Sequence, residues 1–140
     1  MGVIFAVDVR DDLTSEFSNL LNTALGSGAT LDFFDGVMPG TCEAGDAGTL
    51  LASLALDNPV WVYTSGNLFQ ATIPSSSTII TSGTATYWRM KSSGTVTFAQ
   101  GEVSNGSPPA SIEFNTLVWT SSQTIDVDTI TVLVTLAGIP

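Results

Sequence analysis

A chain of 140 residues has the length of one domain, and with 44% hydrophobic residues and a mean hydropathy of +0.35 it holds enough apolar surface to exclude wholesale disorder. Thirteen acidic residues face only Arg10, Arg89 and Lys91, a net charge of -10 that sets the chain against nucleic-acid backbones and anionic membranes. There is no histidine, which removes the usual general base and the usual zinc ligand together, and the single Cys42 excludes an intrachain disulfide.

Residues 2–9 read as a short strand or an arm, with Val3, Ile4 and Phe5 at its apolar centre. The stretch is far shorter than the roughly 20 residues of a membrane span and lacks the basic flank of a signal peptide. Residues 10–140 then form one domain. Asp11, Asp12, Thr14, Ser15 and Glu16 are capping and first-turn residues ahead of a helix predicted near 13–25. Leu13, Phe17, Leu20, Leu21 and Ala24 recur at helical spacing and are expected to pack on a sheet, with Glu16, Ser18, Asn19 and Asn22 facing away. The Gly26-Ser27-Gly28 run is the expected stop.

From Thr30 onward the pattern changes to short strands punctuated by Gly, Ser, Asn and Pro. A strand is predicted over 30–34 and a loop over 43–48. Residues 49–56 fit a buried strand or, less well, a helix. Further strands are predicted over 60–63, 68–73, 77–80, 83–90, 95–102, 111–118 and 124–136, the last with a bulge or bend near Ile130. Seven or more strands at this spacing, rich in Thr, Val and Ile, predict a mainly β fold, a β-sandwich or jelly-roll-like single domain with one short N-terminal α-helix.

Few residues offer chemistry. Gly40 and Gly45 have the spacing of a phosphate loop, but Asp46 stands where the lysine belongs and would repel phosphate. Cys42, with no imidazole to activate it, reads as a plain loop or core thiol. Asp126 and Asp128 lie two apart in a predicted strand, on one face; they read as solvated charges first, as a cation site second and as an acid/base pair last. Asn105-Gly106-Ser107 matches a glycosylation sequon, with no secretion signal to support its use. An aromatic platform for sugars would need Trp61, Tyr63, Trp88 or Trp119 exposed together, whereas aromatics scattered along alternating strands are ordinarily core. Tyr87 and Trp88 are adjacent and point to opposite faces of one strand, so one of the two is a candidate interface residue. The expectation is a protein that is not an enzyme and uses no cofactor or metal.

Several segments taken in order resemble a group of small structural proteins from tailed-bacteriophage virions. They are residues 31–36 (Leu-Asp-Phe-Phe-Asp-Gly), Met38-Pro39, 48–52 (Gly-Thr-Leu-Leu-Ala), 82–89 (Ser-Gly-Thr-Ala-Thr-Tyr-Trp-Arg), Gly101-Glu102-Val103 and 125–132. The resemblance covers roughly residues 13 to 136 and has no diagnostic chemical residue. It implies a capsid decoration (cement) protein that binds the major capsid protein on the capsid exterior and associates with itself as a dimer or trimer. A tail, neck or baseplate component is the alternative within that group, and a carbohydrate-binding β module the alternative outside it. Residues 1–9, with Val3, Ile4 and Phe5, are the expected arm for strand addition to a partner's sheet.

Overall fold

A computed structural model describes residues 6–65, 68–72, 77–93, 96–106, 112–125 and 129–133, with the backbone alone at positions 7, 10, 65, 68–72, 77 and 129–133. Among these described residues the fold is mainly β with one helix, as the composition and periodicity predict. Helix α1 spans Val7–Leu25, and the described strands follow: β1 Thr30–Phe34, β2 Leu50–Ala55, β3 Trp61–Ser65, β4 Leu68–Thr72, β5 Ser77–Thr78, β6 Gly83–Thr84, β7 Tyr87–Ser92, β8 Val96–Ser104, β9 Ile112–Glu113, β10 Val118–Trp119, β11 Thr124–Ile125 and β12 Thr129–Leu133. The larger sheet has the order β2-β1-β7-β8-β9, a second sheet has the order β12-β4-β3, and β10-β6 and β11-β5 form two short ladders. All pairings are antiparallel except that of β8 with β9.

Alternation along the central strands sorts the large sheet into two faces. Leu31 pairs with Met90 and Phe33 with Trp88 between β1 and β7, while Leu31 pairs with Leu54 and Phe33 with Ala52 between β1 and β2. These residues build the apolar face and join Leu25, Val60, Trp61, Ile79, Trp119 and Ile125 in the core. At its centre Phe33, Phe114 and Trp119 meet edge to face, with ring centroids 5.1–5.5 Å apart. The opposite face presents Asp32, Phe34, Tyr87, Arg89 and Lys91, all buried. Loop 35–48 covers them.

The segment left open between strand and helix, residues 49–56, is strand β2, bounded by a turn whose Asn58–Pro59 bond is cis. The single strand predicted over 83–90 is two, β6 and β7. The interruption has a cause: the Ala85 N–H donates to the Leu117 carbonyl at 2.8 Å and the Thr86 N–H to the Phe34 carbonyl at 2.9 Å, so two different neighbours claim consecutive residues.

The helix is longer than expected and turned the other way. It starts at Val7, so residues 7–9 of the predicted strand or arm are helical, with Asp8 in the first turn where an acid favours the dipole. Its buried face is Thr14, Ser18 and Leu25, with Leu21 and Asn22 half-buried. Leu13 (44%), Phe17 (45%) and Leu20 (67%), predicted to face the sheet, are exposed. The reason is a polar anchor: the Asn22 side chain donates Nδ2–H to the Trp61 carbonyl and accepts the Trp61 N–H at Oδ1, both at 2.7 Å. It thereby fills both backbone hydrogen-bonding positions of Trp61 on β3, as a neighbouring strand would. Small Thr14 and Ser18 let the helix lie close on that side, and the Ser18 hydroxyl is satisfied by the Ser15 carbonyl at 2.7 Å.

Candidate functional site

The most densely organised polar cluster lies beneath loop 35–48. Positions 89 and 91 are two apart on β7, so both cations project from the same face. Arg89, 1% exposed, donates Nη1–H to Asp46 Oδ1 at 2.9 Å and to the Ala44 carbonyl at 2.8 Å. It also donates Nη2–H to the Thr41 carbonyl at 3.1 Å and Nε–H to Gln100 Oε1 at 3.1 Å. Lys91 donates to Asp46 Oδ2 and lies 3.9 Å from Asp32 Oδ2, while the Ser53 hydroxyl donates to Asp32 Oδ1 at 2.5 Å. Gln100 reaches the Pro39 carbonyl through Nε2 at 2.7 Å, and the Tyr87 hydroxyl both donates to the Ala47 carbonyl and accepts the Ala47 N–H. Phe34 stacks on Tyr87 at 5.0 Å, and Lys91 Nζ sits 5.3 Å from the Phe34 ring centroid.

This is a clasp that ties an irregular loop to a sheet, because backbone carbonyls buried in a loop need donors and Arg89 and Gln100 supply them. The loop closes on itself where the Thr49 N–H meets Asp35 Oδ1 at 2.5 Å. Gly48 there has φ +78°, and a Cβ would collide with the Asp35 carbonyl oxygen. A cavity of about 610 Å³ opens beside the clasp, lined among others by Cys42, Glu43, Asp46, Arg89, Lys91 and Phe98. Its two cations are already satisfied by Asp46, Asp32 and carbonyls, so the cavity has the ingredients of a rigid support and no spare charge for an anion.

Burial pushes the Asp46 carboxyl up, but hydrogen bonds and charge from Lys91 and then Arg89 together outweigh it and hold the group below the ordinary aspartate value of 3.8. Burial raises the Tyr87 phenol, against the opposing pull of the Ala47 backbone and of Arg89. A carboxyl depressed by folding stabilises the native state above its unfolded value, and that contribution is lost as the pH falls through the lower folded value. The difference in Tm between the wild type and Asp46→Asn is therefore expected to be full near neutral pH and to close below the ordinary value. Thermal melts from pH 7 down to pH 2 check this; a gap that stays constant across the range would break the assignment.

The residues singled out from the sequence fall in different places. Tyr87 (0% exposed) and Trp88 (6%) do point to opposite faces, but both faces are covered, by loop 35–48 and by the core. The expectation that one of them reaches an interface is corrected accordingly: a strand exposes a face only if nothing distant in the chain folds over it. Trp61, Trp88 and Trp119 are all buried, so the described structure presents none of them in an open sugar platform. Val3, Ile4 and Phe5, and Asp126 and Asp128, lie outside the described residues. Cys42 is a free, half-buried loop thiol. Among the described residues no group of three or more His, Cys, Asp or Glu side chains is placed to hold a metal, and no helix is long and apolar enough to cross a membrane. The sequence reading missed the clasp. Part of its signal was available: two of the chain's three cations stand at i and i+2 in a strand and so share one face, which needs an acid wherever that face is covered.

No protein-family model matches the chain, and neither a curated protein nor a solved structure matches it.

Proposed function

We propose that this chain is a structural component of a tailed-bacteriophage virion, a decoration protein that binds the exterior of the capsid lattice and stabilises it without catalysing a reaction. The observation that supports this reading is the partition of charge. Both described cationic side chains, Arg89 and Lys91, are buried in the clasp, whereas Asp8, Asp12, Glu16, Glu43, Asp57, Glu102 and Glu113 are exposed. An acidic exterior on a rigid β scaffold suits the outside of a nucleic-acid container better than its lumen, where phosphate would repel it. A protein that binds only the assembled lattice stabilises it by mass action, and many copies add small interfaces into a large collective effect.

The test is the copy number of the chain in purified virions, by quantitative mass spectrometry normalised to the major capsid protein. The expected ratio is a simple fraction of the capsid subunits. A few copies per particle would move the protein to the tail, neck or baseplate. Absence from particles would overturn the reading.

A further inference from the structure

We propose that the outward apolar stripe of α1 is a docking surface, and that it inserts into an apolar groove rimmed by Lys or Arg on a partner protein. The inference deepens the reading above and rests on it only for the identity of the assembly. At about 3.6 residues per turn, Val9, Leu13, Phe17, Leu20 and Ala24 fall along one side of the helix. Val9 is 41% exposed, Leu13 44% and Leu20 67%. Their spacing is that of the anchors with which an amphipathic helix fills a hydrophobic groove. The exposure is built into the fold and is not a matter of a loose helix. Thr14 and Ser18 are fully inside, and the two hydrogen bonds from Asn22 to the Trp61 backbone fix the rotation of α1 about its axis. Turning the stripe inward would break both and leave the Trp61 amide and carbonyl in need of partners.

Charge selects the occupant. Asp8, Asp12 and Glu16 are exposed and run along one border of the stripe. A second copy, at a net charge of -10, would bring its own acidic row to the contact, so like charges would meet across it. A membrane surface with anionic lipids is disfavoured by the same sign. A protein groove with an apolar floor and a cationic rim answers both features, the floor taking Leu13 and Leu20 and the rim taking the acids.

The test uses the full chain in the cells that natively produce it. A photo-crosslinking amino acid replaces Leu20, or, as a control, the equally exposed Val118 on β10. Expected is a link from position 20 to one partner protein, mapped to a peptide that holds apolar residues together with Lys or Arg, and no such link from position 118. Adding Leu13→Gln should cut that link by about tenfold or more, as loss of a groove anchor does. Asp8→Asn with Asp12→Asn and Glu16→Gln should weaken it and reduce its sensitivity to salt. Every variant should stay folded: the Leu13→Gln chain should melt close to the wild type, and the triple variant slightly below it, because Asp8 leaves the first turn of the helix; a loss of linking far larger than that small shift separates docking from folding. A link to a second copy of the chain, no link at all, or links indifferent to Leu13→Gln and to the acids would each overturn the proposal. A link that meets every condition but ends on a protein foreign to the virion would sustain the docking surface and sink the virion reading, so the two fail separately.

Discussion

Arg89→Met is expected to lower stability by about 3–5 kcal/mol, the cost of breaking a buried ion pair by removing one partner. For a chain of this length that corresponds to a fall in Tm on the order of 10–20 °C. The side chain is 1% exposed and donates to the carbonyls of Thr41 and Ala44, to Asp46 and to Gln100. Methionine fills much of the volume but satisfies none of those acceptors, so two loop carbonyls lose their donor and Asp46 keeps only Lys91. Asp46→Leu alone should cost less, about 1–3 kcal/mol: 35% of that side chain reaches water, which screens its pairing, and Arg89 keeps its carbonyls, but buried Lys91 is left with Asp32 at 3.9 Å. The double variant should lose less than the sum, since each change removes part of what the other leaves unpaired. Denaturant melts of the four proteins decide the matter. Strict additivity would mean that Arg89 and Asp46 do not act as a unit.

Phe33→Ala should be of similar size, about 3–5 kcal/mol, by loss of transfer free energy together with the cavity left behind. Phe33 is fully buried on β1, opposite Trp88 on one side and Ala52 on the other, and its ring meets the edges of Phe114 and Trp119 at 5.5 Å. Both aromatic partners come from the segment after β9's start, so removing the ring loosens the tie between the central sheet and residues 112–125. The near-ultraviolet circular dichroism of the tryptophans should weaken along with Tm, because Trp119 loses an edge-to-face neighbour. Phe33→Leu should cost only about 1 kcal/mol, as a volume-tolerant swap does. A Phe33→Ala protein with wild-type Tm would remove the aromatic trio from the centre of the core.

The strands were legible because they are a local property. Thr, Val and aromatic residues in runs between glycines and prolines place β1, β4 and β8 within a residue or two of their observed positions, whereas β2, made of Leu, Ala and Ser, stayed open between strand and helix. The division of 83–90 into β6 and β7 was not legible, since it depends on the carbonyls of Phe34 and Leu117, each some 30 or more positions away from the residue it binds. Likewise, Thr86 could be read as a strand residue, but not as the donor that its hydroxyl becomes toward the Gly36 carbonyl at 2.7 Å. The clasp lay halfway between. The i, i+2 placement of Arg89 and Lys91 is in the sequence, yet its acid, Asp46, sits in a loop whose path only the folded chain defines.

By itself the sequence determined a mainly β chain with one N-terminal helix ending at Gly26, an excess of acids, and no histidine for the usual acid–base or zinc chemistry. Those follow from composition and from periods of about two and 3.6 residues, which each segment expresses alone. Only the tertiary structure decided which side of each segment meets the interior. Asn22 reaching across 39 positions to Trp61 turned the apolar stripe of α1 outward, and loop 35–48, held by Arg89, covered the face of β7 that Tyr87 would otherwise expose. Periodicity reports that a segment has two unlike sides; what covers each side is set by residues far along the chain.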